Sequence, residues 1–232
     1  MNKGAIIYIL RLLAERIIGA VLFWLGAGSF DFRSGIFFAV YVLVALVSGI
    51  IIYRKNPETL KERGKVKTNS PKWDKILLLV FWLSAFFVVY YAAGKTVPLG
   101  MKIGFDFIAG MIIYILSAVI TVKAMLENTF LESTARLQTD RNQKVIQTGP
   151  YLVVRHPTYS AVIMWCVSVR CIFPSAEVFL LALAIATVII IRTELEDKML
   201  RKGLPGYEEY SKKVKYRLIP FVWSILKTRA HF

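Results

Sequence analysis

Three long apolar stretches constrain the fold of this chain more than any other feature of its sequence. They cover residues 35–53, 76–94 and 104–126, and each has about the 20 residues that a helix needs to cross a bilayer. The chain is 56% hydrophobic and 19% charged, whereas a soluble domain is about 25% charged. This composition excludes a disordered chain. It also argues against a nucleic-acid partner, because the basic residues have no soluble scaffold to carry them. The sequence therefore predicts an integral membrane protein.

Two further apolar stretches are irregular. Residues 4–30 are interrupted by Arg11, Glu15 and Arg16, so this stretch spans the bilayer only if both arginines extend to one interface. Residues 159–191 are broken near 173–175, where a proline stands. Each half is short for a full span, which favours a tight helical hairpin. We therefore predict an all-α, polytopic membrane helix bundle of about six transmembrane segments, the last two forming the hairpin.

The basic residues indicate how this bundle is oriented. The net charge is +15, from 30 lysines and arginines against 15 acidic residues. If the N-terminus lies inside, 26 of the 30 cations fall on the cytosolic side, and such an excess is typical of cytosolic loops. We therefore expect a multi-pass protein with both termini cytosolic, in the plasma membrane of a prokaryote or the endoplasmic reticulum of a eukaryote. The basic loop 54–75 is expected to contact anionic headgroups.

The two cysteines predict no metal site and no disulfide framework. Cys166 and Cys171 lie inside an apolar run, and the only histidines are His156 and His231. Four such scattered residues do not make a zinc-ligand pattern. We interpret both cysteines as core thiols.

Two polar segments flank the predicted hairpin. In the first, Arg155 and His156 precede Pro157, and proline suits the first position of a helix. In the second, Arg192 and Glu196 are four residues apart, so they share one face if the helix continues. The hairpin would bring the two segments together at the membrane rim. Four ionisable groups that meet there are a candidate functional site.

Five motifs follow one another between residues 128 and 223. They are Gly149-Pro150-Tyr151, Arg155-His156-Pro157-x-Tyr159, Arg192-x-x-x-Glu196-Asp197, Leu204-Pro205-Gly206-Tyr207-x-x-Tyr210 and Arg217-Leu218-Ile219-Pro220. In this order and spacing they resemble the isoprenylcysteine carboxyl methyltransferase and phospholipid methyltransferase family of integral membrane methyltransferases. Asp197 stands where many members have a second glutamate, and Thr158 and Ala161 stand where glycine is common.

The resemblance implies an S-adenosyl-L-methionine-dependent methyltransferase. Its acceptor would be an isoprenylcysteine-type carboxylate or a related lipid that enters from the bilayer. Residues 1–126 would form a transmembrane scaffold of four segments. Residues 127–232 would form the catalytic region, which contains a cytosolic cofactor-binding region and the helical hairpin, with the tail 205–220 closing over the cofactor. The implied catalytic residues are Arg192, Glu196 and His156. The implied cofactor-binding residues are Gln147, Gly149, Tyr151, Arg155, His156, Pro157, Tyr159, Glu196, Tyr207 and Tyr210.

The identity of the acceptor and three alternative functions stay open at this point. A carboxylate acceptor needs only an orienting cation, which Arg192 could supply. An amine acceptor, as in a phospholipid N-methyltransferase, needs a base such as Glu196 or His156. The Arg-His-Pro-x-Tyr motif also resembles NADPH-dependent membrane sterol-type reductases, although the Arg192-x-x-x-Glu196-Asp197 pattern looks more like the methyltransferases. A non-catalytic lipid-binding membrane module is the third alternative.

Overall fold

The structure is a computed structural model that describes residues 3–65 and 69–220. These residues contain helices and no strands. A π-helical turn, Ser84–Val88, joins α4 to α5, and two short 3₁₀ turns lie at Thr139–Arg141 and Gly149–Leu152. The α-helices are α1 (Lys3–Ala27), α2 (Phe32–Lys55), α3 (Pro57–Gly64), α4 (Lys72–Leu83), α5 (Val89–Thr96), α6 (Phe105–Glu127), α7 (Pro157–Ile172), α8 (Ala176–Gly203) and α9 (Tyr207–Lys213).

Four helices are long and apolar enough to cross a membrane. They are α2, the continuous α4–α5 unit, α6 and α8. This confirms the prediction of an all-helical membrane bundle, while the count of six segments stays a prediction. Helix α1 has 25 residues but is not one of the four, since its charged residues interrupt the apolar run. Helix α7, with 16 residues, is shorter than a full span.

The predicted hairpin is formed by α7 and α8. Helix α7 ends one residue before Phe173-Pro174 because proline cannot continue a helix. Ser175 then caps α8 by accepting a hydrogen bond from the Val178 amide at 3.2 Å. The prediction that each half is short for a span is wrong for α8, which has 28 residues. Its helix runs on through the polar segment 191–200, so a single rigid element joins the bilayer core to the site.

Close packing of α1 against α5 shapes the interior of the bundle. A side chain at Gly94 would collide with the carbonyl oxygen of Phe23, and one at Gly19 would lie 2.8 Å from the Tyr90 ring. The backbones therefore approach closely, as small residues allow in membrane bundles. Phe37 and Tyr41 of α2 pack against the same region. The resulting aromatic core joins α1, α2, α5 and α6 with the hairpin.

Arg16 contacts aromatic rings of the bundle, and whether residues 4–30 span the bilayer stays a prediction. Its guanidinium lies 4.4 Å from the centre of the Tyr41 ring and 4.9 Å from that of Phe86. These two rings hold the cation inside the bundle through favourable cation–π contacts. Arg11, by contrast, is exposed at its side chain and pairs with Glu15 at 3.1 Å.

The end of the described chain is fastened to the start of α7. The Arg155 and His156 amides donate to the carbonyl oxygens of Tyr216 and Arg217, both at 3.0 Å. The Ser160 hydroxyl donates to the Leu218 carbonyl at 2.6 Å. The segment 214–220 therefore covers the beginning of α7, where the sequence places the site.

Candidate active site

The four ionisable groups that the sequence places near the hairpin lie around one cavity. Arg155 and His156 precede α7, and Arg192 and Glu196 lie one turn apart on α8. All four border the same space of about 340 Å³. The structure thus brings these residues together, and their catalytic and binding roles stay predictions.

Asp197 organises this end of the molecule, and sequence reasoning missed it. Its carboxylate accepts hydrogen bonds from Arg155 Nε at 2.7 Å and Arg155 Nη2 at 3.0 Å, and both side chains are fully buried. Arg201 and Arg217 each donate to the same carboxylate at 3.1 Å. Bidentate and charge-assisted bonds of this kind are the strong ones. The sequence signal was a carboxylate directly after Glu196, which we noted only as a departure from the family pattern.

Arg155 is held on every side by the protein itself. Besides the pair with Asp197, its Nη1 donates to the carbonyl oxygens of Val214 at 2.7 Å and Lys215 at 3.0 Å. This arrangement ties the tail to α8 and leaves the guanidinium little capacity for a ligand. The geometry therefore favours a positioning role for Arg155, and the predicted cofactor contact stays untested.

Tyr207 completes the Asp197 cluster from α9. Its hydroxyl donates to the Asp197 carboxylate at 3.0 Å and lies 3.4 Å from His156 Nε2. Burial raises the pKa of the Tyr207 phenol well above its ordinary value, and the Asp197 carboxylate raises it further. Tyr207 consequently stays a neutral donor at physiological pH and keeps α9 docked on α8.

Glu196 faces the cavity without a cationic partner. The Tyr159 hydroxyl donates to its Oε2 at 2.5 Å. Within residues 3–65 and 69–220, Glu196 forms no ion pair, unlike its neighbour Asp197. The ring of His156 lies parallel to that of Tyr159, with centroids 5.6 Å apart. A carboxylate beside two aromatic faces suits a cationic ligand with an aromatic base.

Arg192 is fixed by a residue far away in the sequence. Its Nε donates to Asp74 Oδ1 at 2.8 Å and its Nη2 to the Ser133 carbonyl at 2.7 Å. Asp74 of α4 is fully buried and also accepts from the Ala135 amide at 2.9 Å. The edge of the guanidinium that would grip a carboxylate with two bonds is thus partly occupied. No sequence pattern links two residues 118 positions apart, so Asp74 went unpredicted.

The remaining predicted cofactor residues divide into two groups. Tyr151, Pro157 and Tyr210 border the cavity, as does Tyr207, and the Tyr210 hydroxyl donates to the Tyr151 carbonyl at 2.7 Å. Gln147 is exposed and does not border the cavity, and neither does Gly149. Gly149 has a φ of +56°, and a side chain there would meet Glu127 at 2.7 Å. Its glycine is therefore a requirement of the turn before α7.

The cavity continues from these polar residues into the interior of the bundle. The same space is bordered by apolar and polar side chains of the bundle helices, including Leu12, Tyr41, Phe81, Ser117 and Trp165. Thr134, from the segment before the site, also borders it, and its buried hydroxyl has no hydrogen-bond partner among the described residues. One cavity thus joins a polar site at the rim to a mixed chamber between membrane helices.

This fold and site define a polytopic helical membrane protein whose polar site opens into the space between its spanning helices. Residues 105–205 match the phospholipid methyltransferase family. The fold is similar to that of the eukaryotic intramembrane Ras methyltransferase ICMT (isoprenylcysteine carboxyl methyltransferase), with a TM-score of 0.55 and 20% identity over 88% of this chain and 73% of that one. No curated protein matches the sequence. The resemblance that the sequence motifs indicated is thereby confirmed for residues 105–205, and the likeness to ICMT is one of fold.

Proposed function

We propose that this protein uses S-adenosyl-L-methionine to methylate a lipophilic acceptor that reaches the site from the bilayer. The observation that carries the proposal is the single cavity, which places Glu196 and Tyr159 in the same space as Leu12 and Phe81 of the membrane helices. A water-soluble cofactor and a lipid-soluble acceptor could therefore meet without either leaving its own medium.

The cofactor end of the cavity fits a cation that carries an aromatic base. Glu196 would bind the ammonium group of the amino-acid part, because it faces the cavity and forms no ion pair with any described residue. The aromatic rings of His156 and Tyr159, and the orphaned Thr134 hydroxyl, would hold the rest. When bound, S-adenosyl-L-methionine supplies an electrophilic methyl group on a positively charged sulfur. The protein's own contribution is alignment in a water-poor site.

The acceptor end contains Arg192 beside the Tyr159 ring, at 5.3 Å from its centroid. An isoprenylcysteine-type carboxylate needs a cation that orients it, and Arg192 retains donors that Asp74 and Ser133 do not use. Because Nε and Nη2 already donate to the protein, Arg192 would orient such a carboxylate through its remaining N–H groups. A phospholipid amine, the second candidate, is favoured by the family that residues 105–205 match. Its proton would pass to Glu196 or His156.

The electrostatics favour this cofactor over the two other functions considered for the sequence. NADPH carries several phosphate charges, which would be repelled by an unpaired Glu196 carboxylate. Arg155, the cation directly before His156, has most of its donors engaged by Asp197 and the tail. A non-catalytic lipid-binding module would have no need of a carboxylate that faces the cavity beside Tyr159.

A binding titration tests the proposal directly. Full-length protein in neutral maltoside detergent is expected to bind S-adenosylhomocysteine, and NADPH is expected not to compete. Replacing Glu196 by Gln should weaken binding by about tenfold or more, because a charge-assisted hydrogen bond is lost. Glu209→Gln, a change of the same charge at an exposed position of α9, should bind as the native protein does. Unchanged binding in Glu196→Gln, or displacement by NADPH, would contradict the proposal.

A further inference from the structure

Arg16 is a cation inside the bundle, far from the loops that carry most of the positive charge. It lies in the middle of α1 and borders the same cavity as the active-site residues. Polar side chains of α2 and α6 border the cavity too, among them Tyr41, Ser117 and Thr121. A charged residue within a membrane bundle is expensive and generally serves a function.

The guanidinium of Arg16 has unused hydrogen-bonding capacity. Its Nε and Nη1 are buried, and neither has a hydrogen-bond partner in the part of the chain that the structure describes. Its neighbour Glu15 accepts a hydrogen bond from Arg11 Nε at 3.1 Å instead. A buried donor without an acceptor costs free energy. Arg192 and Arg155 differ in this respect, since each is paired with an aspartate.

The walls around Arg16 hold the cation in place and leave room beside it. The Tyr41 and Phe86 rings lie within 5 Å of the guanidinium carbon. Phe86 belongs to the π-helical turn that joins α4 to α5, and such turns are frequent at functional sites. Apolar side chains such as Leu12 and Val44 border the cavity as well. A cation next to apolar walls is complementary to an amphiphilic anion.

We propose that Arg16 binds an anionic group, a phosphate or a carboxylate, on the lipid acceptor, and that this group is separate from the atom that receives the methyl. The inference rests on the proposed function. Phe86 packs against the cluster that contains Ile185 of α8, and Arg192 follows seven residues later on that helix. At a rise of 1.5 Å per residue, Ile185 and Arg192 are separated by ~10 Å along the axis of α8. Arg16 therefore acts as a specificity residue that selects acceptors with a second, charged polar group.

A fluorescence titration with simple amphiphiles tests this assignment. Trp82 and Trp165 border the cavity and report on its occupancy. Dodecyl phosphate and dodecanoate, added to full-length protein in neutral maltoside detergent, are expected to bind more tightly than dodecyltrimethylammonium. Inorganic phosphate is expected to bind weakly, and binding as tight as that of dodecyl phosphate would contradict an anionic group carried by a lipid.

Variants of Arg16 separate this site from general surface charge. Arg16→Met should weaken dodecyl phosphate binding by about 10- to 100-fold, because charge-assisted hydrogen bonds are lost. Arg16→Lys should retain part of the affinity, since it keeps the charge but loses the planar fork. Arg54→Met removes a cation from an exposed position at the end of α2 and should bind as the native protein does. S-adenosylhomocysteine should bind all three variants with unchanged affinity.

Several outcomes would overturn the assignment. They are equal affinity of the native protein for dodecyl phosphate and dodecyltrimethylammonium, native affinity in Arg16→Met, and an equal loss in Arg54→Met. The comparison of dodecyl phosphate with dodecyltrimethylammonium is made on the native protein. It therefore tests the anion site even if Arg16→Met does not fold. A native protein that binds dodecyl phosphate through Arg16 but does not bind S-adenosylhomocysteine would refute the proposed function and leave the anion site standing.

Discussion

At the scale of single residues, three arginines share one buried carboxylate, that of Asp197. This concentration of charge predicts that substitution of Asp197 lowers the stability of the protein more than most single changes. Asp197→Asn removes the compensating charge from Arg155, which is fully buried. Loss of one partner of a buried ion pair costs about 3–5 kcal/mol. We therefore expect a large fall in the free energy of unfolding. Detergent-based chemical unfolding measures it, and limited proteolysis shows whether the tail 214–220 is released.

The control for Asp197 is Asp140, an aspartate that also pairs with an arginine but is itself more than half exposed. Asp140 accepts from Arg136 at 2.7 Å, but its side chain is 56% exposed. Asp140→Asn should cost about 1 kcal/mol, because the Asp140 carboxylate is more than half exposed to water and Arg136 keeps its ion pair with Glu132. If Asp197→Asn proved no more harmful than Asp140→Asn, Asp197 would not be the organiser of the site.

At the scale of elements, the close approach of α1 and α5 depends on glycine. A Cβ at Gly94 would overlap the Phe23 carbonyl and lie 3.0 Å from the Ala27 amide. Gly94→Ala must therefore separate the helices, and we expect the free energy of unfolding to fall by about 1–3 kcal/mol, as for other overpacked cores.

Gly35→Ala on α2 is the matched control, since its Cβ would meet nothing within 4 Å. There the better helix propensity of alanine should leave stability unchanged or raise it by up to about 1 kcal/mol. Thermal unfolding in detergent compares the two, and equal effects would show that the α1–α5 contact is loose.

Local sequence patterns predicted the elements better than they predicted the contacts between them. The hairpin followed from the proline at its tip, and the spacing of Arg192 and Glu196 was right because α8 is continuous. Asp74 could not be found in this way, because its pairing with Arg192 depends on how α4 packs against α8. The ring contacts of Arg16 could not be found either, since a side chain's length and charge are visible in a sequence but the aromatic rings that pack against it are not.

At the scale of the whole molecule, the distribution of positive charge predicts that the loop between α2 and α4 is cytosolic and the loop between α5 and α6 is not. Cysteines introduced singly at Asn69 and Lys102, both exposed, probe the two sides of the α4–α5 unit. The native Cys166 and Cys171 would be replaced by serine beforehand. In intact cells a membrane-impermeant maleimide should label Lys102→Cys and spare Asn69→Cys, which should react only after permeabilisation. Labelling of both positions in intact cells would mean that α4–α5 does not cross the membrane. The reverse pattern would mean that the charge asymmetry has been assigned to the wrong side, and that the polar site faces away from the cytosolic cofactor on which the proposed function depends.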